Sequence, residues 1–438
     1  MDIVVREYAK RLRSSCEVVV YHNSLESRAR EVIHDDVVYR RVAKLPDRLV
    51  VRGLAEERRL GRSLGRQVER RPVQVSNFYY GWYAAAVARD SRRRGCDVVH
   101  VYIYDSLLPV LRRLNPHARL VLHMHDSSQA LWDRRLVGRR LALADLIVGN
   151  SGYITDEVRR RFPEVADRCR AVLNAVDVHR FMPAVGDGAP QSTLRLLFVG
   201  RLSPEKGVHT LVRAFNTVVE SGGDVTLELV GPSDLAPIEF VDPVNEDRHF
   251  DDVRRFFGSP RAFHDYLLGQ LSPAARSRVT VAGEVPHAEL PQRLRESDVL
   301  VFPSVWNEPF GLPAIEGMAS GLPVVATRGG AFPEIVDDGR TGLLVERGDS
   351  NQLASALLRL VQNRELRREM GRRGRERACR LFTWDRYVTD WLRLYGEVTG
   401  SIDATRSRLD VELLERVGVT EPAPGRKPTL RGGRLSEE

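Results

Sequence analysis

Short uninterrupted apolar runs alternate along this chain with longer stretches in which apolar residues recur every three or four positions. The runs have the length of buried strands and the stretches that of helices, a pattern that belongs to parallel sheets covered on both faces. In the first half the spacing predicts strands at 17–21, 98–102, 120–124, 146–148 and 171–173. In the second half it predicts them at 194–199, 225–230, 279–282, 299–302, 323–326 and 342–345. Two such βα runs predict an α/β molecule of two doubly wound, Rossmann-like domains.

Punctuation sets the boundaries. Pro183, Gly186, Gly188 and Pro190 stand among small polar residues without periodicity, so 183–192 reads as a hinge between an N-terminal domain at 1–182 and a second at 193–385. Prolines and dense charge mark 233–275 as an insertion with some helix, 386–400 as a terminal helix and 401–438 as a charged, disordered tail. The beginning is out of order. Val4, Val5, Tyr8, Ala9 and Leu12 have helical spacing, whereas a doubly wound domain opens with a strand. The first strand is therefore expected either upstream of Met1 or to be lost, and in the second case activity would be in doubt.

Composition narrows the class. At 438 residues the chain is long enough for two cores. Its four cysteines are scattered without metal-like or disulfide-like spacing, which points to a reducing compartment. No uncharged run reaches the roughly 18 residues that span a bilayer, and no leader-like pattern opens the chain, so a cytoplasmic protein is expected, with a peripheral place at the inner membrane face as an added reading. The net charge of +8 gathers in arginine-rich stretches at 48–71, 92–94 and 134–140. These read as solvated surface, with contact to an anionic membrane or a lipid-linked acceptor as the competing reading. No zinc-ligand spacing or base-stacking signature supports nucleic acid.

Candidate chemistry clusters at strand ends, where open α/β sheets bind ligands. After strand 194–199 come Gly200-Arg201 and Glu205-Lys206-Gly207, then an amphipathic helix. Arg201 and Lys206 share one crevice in this reading, where a guanidinium and an ammonium can neutralise a diphosphate and the charge that develops as it departs. A solvated surface pair is the competing reading. After strand 299–302 come Glu308-Pro309-Phe310-Gly311-Leu312-Pro313-Ala314-Ile315-Glu316. The amides of Phe310, Gly311 and Leu312 would face an anion at a helix start, with Glu308 at the crevice mouth. Glu316 sits roughly 7–8 Å along that helix at about 1.5 Å per residue, placed to accept a ribose diol. Otherwise Glu308 is a helix cap and Glu316 a salt-bridge partner.

Together with Gly283, Gly321-Leu322-Pro323, Gly329-Gly330 and Pro333-Glu334-Ile335, this ordered set resembles glycosyltransferase family 4, retaining enzymes of the GT-B fold. The resemblance implies that Arg201 and Lys206 hold the diphosphate of a nucleoside-diphosphate-sugar donor, Glu316 the ribose and the Phe310–Leu312 amides the phosphate side. It gives Glu308 the transferred sugar's hydroxyls, and Val285 with its neighbouring backbone the base. His125, at the end of strand 120–124 and followed by Asp126, would lie near the donor sugar, a turn-capping role being its rival. Gly149-Asn150-Ser151 and Asn174-Ala175 match further positions, although Ala175 replaces the family's usual glycine. Neither a metal ion nor a cofactor is implied, and Asp251-Asp252 and Asp337-Asp338 read as solvated. The expected reaction is transfer to a carbohydrate or lipid-linked acceptor in polysaccharide or envelope biosynthesis. A nucleotide-sugar-binding protein without turnover and another enzyme of the fold, such as an epimerase, are the rivals. The aromatic run Phe78–Tyr83 reads as packing, with acceptor contact as the second reading.

Overall fold

The computed structural model describes residues 3–23, 31–43, 47, 49, 52–53, 80–126, 133–184, 193–235, 247–400 and 408–412. Its strands form two sheets. The first holds β1 (Glu17–His22), β2 (Glu31–His34), β3 (Val37–Arg41), β4 (Val98–Tyr102), β5 (Arg119–Met124), β6 (Leu146–Gly149), β7 (Cys169–Ala171) and β14 (Arg408–Glu412), in the order β2-β3-β1-β14-β4-β5-β6-β7. The second holds β8 (Leu194–Val199), β9 (Val225–Val230), β10 (Val279–Gly283), β11 (Val299–Phe302), β12 (Val324–Thr327) and β13 (Gly342–Val345), in the order β10-β9-β8-β11-β12-β13. All pairings are parallel except that of β2 with β3. These are the two doubly wound sheets that the apolar runs predict.

Period-2 alternation divides each strand between two cores. In β4, Val99 and Val101 face a core with helices α2 (Gly81–Arg94) and α3 (Gly152–Arg161), while Val98 and Tyr102 face one with α1 (Ile3–Leu12) and α7 (Trp384–Thr399). In β8, Leu196 and Phe198 pack toward α4 (Val208–Glu220), and Leu197 and Val199 toward α5 (Leu312–Ala319) and α6 (Arg364–Leu381). Phe250, Phe256, Phe263 and Leu267 of the insertion join the α4 core, so that segment adds to the second layer. Having left α6, the chain returns in α7 to the first sheet, where Trp384, Tyr387, Trp391 and Leu394 are buried with Val18, Val20 and Val121.

Three differences from the sequence reading have physical reasons. β7 lies at Cys169–Ala171, two residues earlier than expected, because after Val172 donates to Gly149 O at 2.9 Å the apolar run leaves the sheet for the crevice. The β2–β3 hairpin was not anticipated. Its turn residues Asp35 and Asp36 both have left-handed backbone (φ 52° and 56°), a hairpin geometry that Asp tolerates, and the outer strand β2 has no buried residue and so carries no burial signal. The largest correction concerns the slot between β1 and β4. It is filled by residues 408–412, read from sequence as part of a disordered tail, which pair in parallel with β1 on one side and β4 on the other. The proposed hinge falls mostly on 185–192, outside the described residues.

Candidate functional site

β8 ends at Gly200 and Arg201, and a short 3-10 turn, Pro204–Lys206, leads into α4. Gly207 has φ 69°, and a Cβ there would lie 1.9 Å from the Pro303 carbonyl oxygen, so only glycine lets this loop close on the loop after β11. Glu205, fully buried, is the clamp between them. Its carboxylate accepts from Arg201 Nη2 at 2.8 Å, and its carbonyl accepts from Val305 N at 3.1 Å, Trp306 N at 3.2 Å and Ser304 Oγ at 2.9 Å. Arg201 and Lys206 are thereby held at one rim.

The loop after β11 supplies the acids. Glu308 is 3% exposed; its Oε1 accepts from Lys206 Nζ at 2.6 Å and lies 2.9 Å from Ser304 Oγ, whose single proton it shares with the Glu205 carbonyl. Neither the surface-pair reading of Lys206 nor the helix-cap reading of Glu308 fits this geometry, since Gly311 caps α5. Removing either partner would leave a charge buried and unpaired. Gly330, at φ 61°, lets the loop after β12 touch the Glu308 backbone, where Ala331 N donates to Glu308 O at 2.8 Å. The Phe310 ring is buried against Phe382, so toward the crevice Phe310 offers backbone, and with Gly311 and Leu312 it forms the amide-bearing start of α5. Glu316 lies deeper along α5 and accepts from His287 Nε2 at 2.7 Å. Its partner is thus an imidazole.

One continuous crevice joins these groups. One lobe is lined by His125, Asn150, Asn174, Arg201, Lys206, Glu308 and the Phe310–Leu312 segment. The other, sharing Gly200, Arg201 and Leu312, is lined by Val285, His287, Glu316, and Val4 and Glu7 of α1. His125, Arg201, Lys206, Val285, Glu308, Phe310, Gly311, Leu312 and Glu316 therefore all border one or both of these adjoining lobes. Asn150 Oδ1 and Asn174 Oδ1 are buried there without a hydrogen-bond partner among the described residues. Ile103 lines the first lobe with φ 70°, a conformation a β-branched residue rarely adopts and one that concentrates at functional sites.

The sequence reading missed Glu205, Ser304, His287 and Ile103. Glu205 stands beside Lys206 and Gly207 in the sequence, but nothing in its spacing shows that its carboxylate turns inward. Glu334, between Pro333 and Ile335, reaches across from the second half to α3: its carboxylate accepts from Gly152 N at 2.8 Å and Tyr153 N at 2.5 Å, while Ser151 Oγ donates to Pro309 O at 2.7 Å. Burial raises the Glu334 carboxyl above its ordinary pKa, and the two amides oppose this. Ala175 is not among the described residues with left-handed backbone, so its departure from glycine carries no strain. Tyr80 and Tyr83 are buried in the core as packing residues, Trp82 is 54% exposed, and Phe78 and Tyr79 lie outside the described residues.

A model described as Glycosyltransferase Family 4 matches residues 1–180, and one described as Glycosyl transferases group 1 matches residues 193–363. The chain is 27% identical to spore coat protein SA of Bacillus subtilis (strain 168), over 72% of this chain and 81% of that protein. Among solved structures it resembles sucrose-phosphate synthase from Thermosynechococcus elongatus, with a TM-score of 0.67 at 22% identity over 90% of this chain and 92% of that one. It also resembles Anabaena Alr3699/HepE in complex with UDP and glucose, with a TM-score of 0.57 at 18% identity, over 86% of this chain and 98% of that one. These likenesses establish the fold as GT-B. With both halves matched in order by the family's models, the chain belongs to the group 1 glycosyl transferases, glycosyltransferase family 4.

Proposed function

We propose that this chain is a retaining, metal-independent transferase that moves a sugar from a nucleoside-diphosphate sugar, with UDP the favoured carrier, to a carbohydrate or lipid-linked acceptor. One observation carries the reading: a single crevice between the two sheets gathers a paired arginine and lysine, a helix start and two carboxylates. Arg201, Lys206 and the Phe310–Leu312 amides would face the diphosphate and stabilise its charge as the anomeric carbon–oxygen bond breaks. Lys206 would then share its ammonium between Glu308 and phosphate. Glu308 would hold sugar hydroxyls, Glu316 would exchange His287 for the ribose diol, Val285 would border the base, and His125 would donate to a sugar oxygen. The acceptor oxygen would bond to the anomeric carbon on the face the phosphate leaves, its proton passing to the departing phosphate oxygen. UDP is favoured because the HepE structure, alike in fold, holds UDP and glucose. Polysaccharide or envelope biosynthesis is the setting this chemistry suits.

No helix among the described residues is long and apolar enough to cross a membrane. A groove on the first half, lined by Arg89, Arg113 and Arg139 beside Val110, Leu136 and Leu143, supports peripheral contact with an anionic lipid surface. Co-sedimentation with phosphatidylglycerol but not phosphatidylcholine vesicles tests that contact. A second reading, donor binding without turnover, draws on β14, because the slot between β1 and β4 is filled from the chain's far end.

Thermal shift with UDP, GDP, ADP and dTDP, followed by donor turnover in the parent and in Lys206→Ala and Glu316→Ala, decides between the two. Transfer predicts losses on the order of 10²–10³-fold for Lys206→Ala, the usual cost of removing one donor to transition-state charge, and a raised donor KM for Glu316→Ala. Undiminished rates in both would sink the assignment; binding without turnover in the parent would establish the second reading.

A further inference from the structure

His100 and Tyr102 of β4 and His123 of β5 lie on the sheet face covered by α1 and α7, and His125 follows at the end of β5. Their rings form a packed series. The His123 and His125 centroids are 4.2 Å apart, His100 and His123 5.2 Å, and Trp391 of α7 stands edge-on to His123 at 4.8 Å and tilted over His100 at 4.4 Å. Polar contacts run through the same series. His125 Nε2 is 3.3 Å from His123 Nδ1, His100 Nδ1 is 2.6 Å from Tyr395 Oη, and Tyr8 Oη donates to Tyr395 Oη at 2.8 Å.

His123 is fully buried, and its Nε2 has no hydrogen-bond partner among the described residues. The titratable groups whose rings meet it are His100, Tyr102 and His125 on the two strands; Tyr8 on α1 and Tyr387 and Tyr395 on α7 lie one contact further out, against Tyr8, His100 or Trp391. Burial, with His125 and His100 adding to it, pushes the His123 pKa well below the ordinary value, so its imidazole is neutral with one N–H and one acceptor. An orphaned buried N–H is rarer than an under-used acceptor. The favoured arrangement has His123 donating from Nδ1 to His125 Nε2, which leaves its own unpaired Nε2 as the under-used acceptor. In a neutral His125 ring that accepts this bond at Nε2, the proton sits on Nδ1.

We propose that His123 is a positioning residue for transfer: its Nδ1, backed by Trp391, fixes the ring plane and tautomer of the His125 imidazole that lines the crevice. The proposal rests on His125 acting on the donor sugar. It also makes α7, which arrives from the second half, the support of a group on the first sheet.

Two experiments test it. In ¹⁵N-histidine-labelled parent protein, two-bond ¹⁵N–¹H correlation should show neutral His125 protonated on Nδ1 and His123 protonated on Nδ1. A proton on His125 Nε2 would overturn the proposal whether or not any variant folds. Kinetically, with UDP-glucose hydrolysis as probe, His123→Phe should lower kcat about tenfold, a fraction of the 10²–10⁴ typical of a whole acid–base group, and leave the donor KM within about twofold. His123→Asn, whose amide nitrogen can stand near the Nδ1 position, should recover most of that loss, and His123→Gln should not. A purely packing role predicts the opposite ranking, with Phe tolerated and Asn worst. In a His125→Ala background His123→Phe should have no further effect; an undiminished loss there would overturn the proposal. Full turnover in His125→Ala alone would instead overturn the reading of His125.

Discussion

His100, His123 and His209 are buried, and burial pushes all three pKa values down, that of His209 to about 3. In the unfolded chain each titrates near 6.5, so above that pH neither state binds the proton and nothing is lost. As pH falls through 6.5 the unfolded state gains protons that the fold refuses, and stability falls by up to about 1.4 kcal/mol per pH unit for each histidine. For His209 the window runs from 6.5 down to about 3. The melting temperature should therefore drop steeply between pH 6.5 and 5, and His209→Leu should shallow that slope by about one proton's worth; a parent curve flat over this range would refute the account. Residues of this kind mark the limit of sequence legibility. Glu308 and Glu316 were legible because their spacing from a strand end fixes where they lie. Glu205, Ser304 and His123 act through the direction their side chains take, and that depends on neighbours about 100 residues away in the case of Glu205 and Ser304, and nearly 270 for His123 and Trp391.

Elements were more legible than their roles. Apolar runs located most of the buried strands because a strand covered on both faces is built mainly of apolar residues, and the helical spacing of Val4, Val5, Tyr8 and Leu12 located α1. What the pattern could not give was a partner for each helix end. The start of α3 is capped twice, by Ser151 Oγ accepting from Ile154 N at 3.2 Å and by the Glu334 carboxylate accepting from Gly152 N and Tyr153 N. The second cap comes from about 180 residues further on and joins the two halves at a helix N-terminus, where a negative charge is favoured. Glu334→Ala should cost about 1–2 kcal/mol, the range for a lost cap, with Glu334→Gln between the two. Denaturant unfolding measures the loss, and limited proteolysis within 152–161 should rise with it. No change in either would mean that Ser151 alone suffices.

At the scale of the molecule, counting strands from the sequence predicts a gap in the first sheet but not what closes it. Periodicity reports that a segment prefers a sheet, whereas the choice of slot is decided by which neighbouring backbone is left unpaired. Here β14 pairs five residues with β1 and four with β4, in the middle of a sheet whose two flanking strands are otherwise buried. A chain ending at Gly400 would leave the facing edges of β1 and β4 without a ladder partner, each strand keeping only its outer neighbour. At about 1–3 kcal/mol for each unsatisfied buried backbone group, the loss rivals the 5–15 kcal/mol that stabilises a typical domain. The second sheet holds Arg201, Lys206, Glu308 and Glu316 and keeps all its own strand pairings, so the damage should be one-sided. Hydrogen exchange of the 1–400 chain should show protection lost in β1 and β4 and kept in β8 and β11, with a peptide of residues 401–438 restoring the first pair when added in trans. Full protection of β1 and β4 in the shortened chain would show that the slot does not depend on residues 408–412.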